Sequence, residues 1–78
     1  MTTLMQQVTT KLTEEEKENI PKYLNSIENK KENQKQSLIS LFEYWRKYLP
    51  NVKQEIGCRS CQQAVIRFWT QVNNKMNE

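Results

Sequence analysis

The sequence predicts an all-α fold: a small bundle of three principal helices, with residues 1–12 forming a further short helix or an arm. Three observations predict it. Glycine occurs once and proline twice in 78 residues, too few turn residues for a sandwich or barrel of short strands. The apolar residues recur at spacings of three and four, the period of a helix face. The positions between them hold Glu, Lys, Gln and Arg, all good helix formers.

The first segment places Leu4, Met5, Val8 and Leu12 on one helical face. Its threonine pairs oppose helix, because Thr is a poor helix former. Thr13 then offers an N-cap with Glu16 three residues on, the pattern of a capping box. Glu14, Glu15 and Glu16 also suit the positive end of a helix dipole. Pro21 is expected to interrupt this run and open a second helix, since proline is tolerated only in a first turn. Tyr23, Leu24 and Ile27 give that helix its apolar face. Residues 28–36 contain no apolar side chain and read as a polar connector or a solvated run of helix. Residues 37–49 carry two interleaved apolar series, Leu38, Leu41, Trp45, Tyr48 and Leu38, Phe42, Trp45, Leu49. Together they make a face broad enough for packing on two sides. Pro50 stops this helix, because the residue before proline avoids the α region. A loop over residues 50–57 follows, with Val52 and Ile56 expected against the core and Gly57 expected to supply backbone freedom. The last helix spans residues 58–76, with Cys58, Cys61, Val65, Phe68, Val72 and Met76 as its stripe, widened by Ala64 and Trp69.

Seventy-eight residues make a single domain. A chain this short buries only about 60% of the surface its unfolded form exposes. The apolar fraction is 36%, with sixteen Asn and Gln in place of further core residues, against an ordinary ~45–50%. So thin a core suggests help from a partner chain, a metal or a disulfide.

Composition also narrows function. The chain has no His and no Asp, which removes the commonest general base and the usual triads. A domain of this size has little room for a dry, preorganised pocket, so a binding protein is expected rather than an enzyme. No stretch approaches the ~20 apolar residues of a membrane span, and the first residues lack a secretory leader. The expected compartment is the cytoplasm, where two cysteines serve as thiols or metal ligands rather than a structural disulfide. Net charge is +3, unevenly spread: residues 1–32 carry five Lys against six Glu, and residues 33–78 carry seven basic against three acidic groups. The basic second part permits contact with nucleic acid or an acidic protein surface.

Cys58-Arg59-Ser60-Cys61 is the motif with chemistry in it. One helical turn brings both sulfurs to one side, as a tetrahedral metal requires. Zinc wants four ligands, so one chain supplies half a site, complete only if Cys58 and Cys61 are shared across a dimer. A thiol pair at a helix N-terminus is also suited to redox work, since the dipole favours the first thiolate. The third reading is simple packing, because both cysteines fall on the apolar stripe and buried free cysteine is common. No resident cofactor is otherwise expected.

Phe42, Trp45 and Phe68 are expected in the core. Tyr44 and Trp69 lie nearer the edges of their stripes and, with Arg46 and Arg67, are the candidate contacts for a protein partner, since an exposed Trp beside Arg is a typical interface anchor. Arg46, Lys47, Lys53, Arg59, Arg67 and Lys75 are the candidates for a nucleic-acid face on residues 46–75, with Arg59 at a helix N-terminus where backbone N–H groups attract phosphate.

The pattern Phe42, Trp45, Pro50, Cys58-x-x-Cys61 and Phe68 resembles small uncharacterised accessory proteins of tailed phages and prophages, over residues 38–72. That resemblance implies a protein acting in stoichiometric amounts, as a minor virion component or an inhibitor of a host protein. The expected function is therefore a non-enzymatic protein-binding module, with a nucleic-acid-binding domain using residues 46–75 and a metal-stapled homodimer through Cys58 and Cys61 as rivals.

Overall fold

The computed structural model describes residues 4–77. Among these residues it contains four helices and no strand: α1 Leu4–Lys11, α2 Glu14–Glu28, α3 Gln34–Tyr48 and α4 Arg59–Met76. Helix α2 packs on both α3 and α4, α4 also packs on α1, and α3 meets α4. The three long helices are the principal ones and α1 is the short N-terminal one. Val8 of α1 and Leu12 just beyond it are buried in the common core, which holds α1 against the bundle.

Thr13 caps α2 as its sequence suggests. The Glu16 backbone N–H donates to Thr13 Oγ1 at 3.1 Å, and the Thr13 N–H donates to Glu16 Oε1 at 3.0 Å. Helix α2 then continues through Pro21. The expected break at Pro21 is therefore corrected: Glu14–Glu28 is one helix. Proline there removes one intrahelical bond and costs about 3 kcal/mol. The offsetting term is the uninterrupted face of Ile20, which is wholly buried, with Tyr23, Leu24 and Ile27 packed against the core. A second helix starting at Pro21 would turn that face away from α3 and α4.

The end of α2 is closed by two bonds. The Lys31 N–H donates to the Ser26 carbonyl at 3.0 Å and the Lys30 N–H to the Ile27 carbonyl at 3.2 Å. This is a Schellman motif, with Lys30 left-handed at φ 50° where glycine is the usual occupant. The connector is shorter than its composition suggests, because residues 34–36 already belong to α3. Every residue from 28 to 36 is exposed.

A polar node fastens α2 to α3. Glu16 is buried to 6% exposure. It accepts from the Lys47 ammonium at 3.0 Å and from the Tyr48 hydroxyl, both near the end of α3. Burial pushes the Glu16 carboxyl up, but the bonds from the Thr13 backbone, Tyr48, Lys47 and the Thr13 side chain outweigh it and hold the group below its ordinary value. The hydrogen bond to Glu16 in turn raises Lys47.

The loop of residues 49–58 is tied down differently from expectation. Val52 is 43% exposed rather than against the core. Its carbonyl is the anchor, accepting the Trp45 indole N–H at 2.7 Å. Ile56 does pack on the core. Gly57 has no positive φ, and a Cβ there would meet nothing within 4 Å, so the backbone freedom expected at this position is not used.

Two outcomes follow from α2. Replacing Pro21→Ala restores a donor in an otherwise intact helix and should stabilise the chain by about 2 kcal/mol, after allowance for the extra freedom of the unfolded chain. Thermal unfolding followed by circular dichroism should show Tm rising by roughly 10 °C. Glu16→Gln should cost about 1–2 kcal/mol at neutral pH. The folded carboxyl titrates below its unfolded value, so its contribution is complete above the ordinary Glu range and is lost as pH falls through the depressed folded value. Denaturant titrations of both proteins should therefore converge in acid; a gap that stays constant below pH ~3 would show that the charge on Glu16 is not what stabilises.

Candidate functional site

Trp69 is wholly buried, which corrects its expected place in a contact surface. Its indole N–H donates to the Leu41 carbonyl at 3.1 Å, and its ring meets Phe68 and Tyr44 edge-on with centroids at 5.1 and 6.2 Å. Tyr44 is half-buried between Trp69 and Tyr23, the latter ring 6.0 Å away. Burial raises the Tyr44 phenol above its ordinary value. Tyr44 thus retains a partly open edge, while Trp69 holds α4 to α3. Phe42 and Trp45 are buried as expected, and Phe68 is half-buried with its ring 5.1 Å from Trp45.

The six basic candidates do not gather on one face. Arg46 lines a cavity between α3 and the following loop. Lys47, the next residue, is turned by about 100° and is paired to Glu16 of α2. Lys53 is exposed in the loop. Arg59, Arg67 and Lys75 stand eight residues apart along α4, so each is rotated about 80° from the last. Arg59 and Arg67 are exposed and Lys75 is half-buried. Arg46 and Arg67, paired in the expected partner surface, lie on different helices, and Arg46 borders a concavity.

That concavity is one of the recesses among the described residues. It is an open groove of about 450 Å³ lined by Leu38, Ile39 and Phe42 of α3 and by Ile56, Gly57 and Gln62. Lys35, Glu43 and Arg46 form its charged rim. The loop wall is held in place because the Gln62 side-chain amide donates to the Ile56 carbonyl. Sequence reasoning missed this site. The signal was Ile39, an apolar residue outside both stripes of α3, together with Gln62, a polar residue at a stripe position of α4. A second recess, about 490 Å³ between α2 and α4, is lined by Leu24, Ile27 and Ile66 but also by Glu28, Thr70, Asn73 and Asn74. Its polar half makes it the weaker anchor for an apolar ligand.

Cys58 is the N-cap of α4 and Cys61 lies in the first turn, both as half-exposed free thiols. Cys61 packs against the core and Cys58 does not belong to it, so simple packing describes Cys61 alone. Cys58 Sγ lies 3.2 Å from Ser60 Oγ. The Ser60 hydroxyl, the Cys61 thiol and the Cys61 backbone N–H lower Cys58 to about 7, and the same neighbour relation raises Cys61. Among the described residues no group of three or more His, Cys, Asp or Glu side chains is placed to hold a metal. Cys58 and Cys61 by themselves supply two of the four ligands that tetrahedral zinc takes.

No helix among the described residues is long and apolar enough to cross a membrane. No family model, curated protein or solved structure matches the chain.

The two thiols should alkylate in order. With iodoacetamide at pH ~7, about half of Cys58 is thiolate, against a few per cent for an ordinary thiol. Peptide mapping should find label on Cys58 well before Cys61, with the Cys58 rate levelling off above pH ~8. Equal labelling of the two would show that the first turn of α4 does not separate them.

Proposed function

We propose that the chain is a non-enzymatic protein-binding module that docks an amphipathic segment of a partner protein in the groove between α3 and the 49–58 loop. The groove is the observation that carries this reading. Leu38, Ile39 and Ile56 are half-buried and leave apolar surface open over a floor formed by the buried Phe42, and their backbone is held by a helix and a bonded loop. An anchor presented on rigid elements binds without first paying an ordering cost. The rim favours acidic flanks on the ligand, since Lys35 and Arg46 outnumber Glu43 and Arg46 forms no ion pair among the described residues. Contact moves from the Tyr44 and Trp69 pair to the Ile39 side of α3, with Arg46 retained. The resemblance to small tailed-phage proteins supports a stoichiometric partner, either a virion protein or a host protein to be inhibited.

Selection of peptides from a random library on the immobilised chain provides the test. Enriched sequences should carry large apolar residues at helical spacing beside Asp or Glu. Amide shifts on titrating such a peptide should cluster at Leu38, Ile39, Phe42 and Ile56. Ile39→Arg should weaken binding by at least about tenfold, the effect of losing roughly 1.4 kcal/mol of contact, with the circular dichroism spectrum unchanged. Shifts centred on another surface, or full affinity in Ile39→Arg, would sink the proposed groove.

A further inference from the structure

We propose that Cys58 and Cys61 form a thiol–disulfide exchange pair, in which Cys58 is the attacking thiol and Cys61 the resolving one. The geometry carries this. Cys58 occupies the N-cap of an 18-residue helix, with extended backbone angles and its carbonyl already accepting the Gln62 N–H at 2.9 Å. Cys61 stands one turn later, a separation of about 5 Å between Cα atoms on a regular helix, within the span a disulfide needs. The two thiols differ in surroundings. Cys58 is half-exposed, outside the core, with the Ser60 hydroxyl at 3.2 Å. Cys61 has one side against the core, and the neighbouring Cys58 thiol, with burial, opposes its ionisation. An accessible thiol with thiolate character beside a more protected one is the asymmetry that exchange requires. The lowered value of Cys58 agrees with this assignment of roles.

The co-reactant is a small disulfide, RSSR. The Cys58 thiolate attacks one sulfur, the S–S bond breaks, and one RS⁻ leaves and takes up the proton that Cys58 gave. The Cys61 thiol then loses its proton and attacks Cys58 Sγ, expelling the second RS⁻, which takes up that proton. The chain loses two electrons and two protons, RSSR becomes two RSH, and a Cys58–Cys61 disulfide remains. The reverse sequence restores the dithiol. Nothing in this step requires His or Asp, and it is independent of the groove reading above.

The test incubates the reduced 78-residue chain with glutathione disulfide near pH 7 and follows it by intact mass spectrometry. The chain should become about 2 Da lighter and keep no glutathione. Cys61→Ser should retain one glutathione at residue 58, because its mixed disulfide has no resolving thiol. Cys58→Ser should react at least about tenfold more slowly than Cys61→Ser. Ser is a favoured N-cap residue, and Cys61→Ala serves as a second variant should Cys61→Ser lose helicity. Accumulation of glutathione adducts on the unsubstituted chain without the 2 Da loss, equal rates for the two single variants, or disulfides only between chains would each overturn the proposal.

Discussion

The bundle depends on one buried side chain, Trp69. It is the largest wholly buried residue, and it joins α4 to α3 through its bond to the Leu41 carbonyl. Around it the rings form a connected series from Tyr23 through Tyr44, Trp69 and Phe68 to Trp45. Each edge-on pair contributes about 0.5–1.5 kcal/mol beyond its area. In a chain with so few apolar residues, a small number of large rings does the work that many aliphatic side chains do elsewhere. The series also crosses helices, with Tyr23 on α2, Tyr44 and Trp45 on α3, and Phe68 and Trp69 on α4. Alignment of the three long helices therefore draws on these aromatic contacts as well as on the buried aliphatic residues Ile20, Leu41, Leu49, Val65 and Val72.

The polar node at Glu16 acts at the C-terminal end of α3. A buried carboxylate is costly unless its lone pairs are filled. Here Thr13, Lys47 and Tyr48 fill them, and no buried side-chain polar atom of the described residues lacks a partner. The node is thus a positional constraint more than a source of large stability. It admits one relation between the start of α2 and the end of α3, because only that relation satisfies the carboxylate. The helical turn between successive residues points Lys47 to this node and Arg46 elsewhere, which separates basic residues adjacent in sequence.

How much of this was legible depended on whether a signal was local. The Thr13–Glu16 capping box, the stop before Pro50 and the start of the last helix at Cys58 are settled within a few residues, and sequence reading placed them. Pro21 was misread because its cost is local while the offsetting burial of Ile20 is tertiary. Trp69 was misread because Gln62 broke the series Cys58, Gln62, Val65, Trp69, Val72, Met76, whose four-and-three spacing otherwise matches the buried face. Gln62 belongs there as a loop anchor, and its polarity hid the true centre of the stripe. Val52 failed for a related reason: its carbonyl, not its side chain, is the fixed group. The groove was illegible because it exists only once the loop is laid against α3.

The groove and the thiols share a wall. Ile56 and Gly57 line the groove, Cys58 follows them directly, and Gln62, one residue beyond Cys61, both borders the groove and bonds the Ile56 carbonyl. The Cys58 N–H also donates to the Glu55 carbonyl at 3.1 Å. The segment from Glu55 to Gln62 is therefore one hydrogen-bonded unit whose inner side is apolar groove and whose outer side presents the Cys58 sulfur. A disulfide between Cys58 and Cys61 constrains the N-cap turn inside that unit. The proposed disulfide would act within the same hydrogen-bonded unit that carries the groove wall, through the shared Gln62 anchor. Ligand affinity measured on the dithiol and on the disulfide forms thus reads a single structural element from both of its sides.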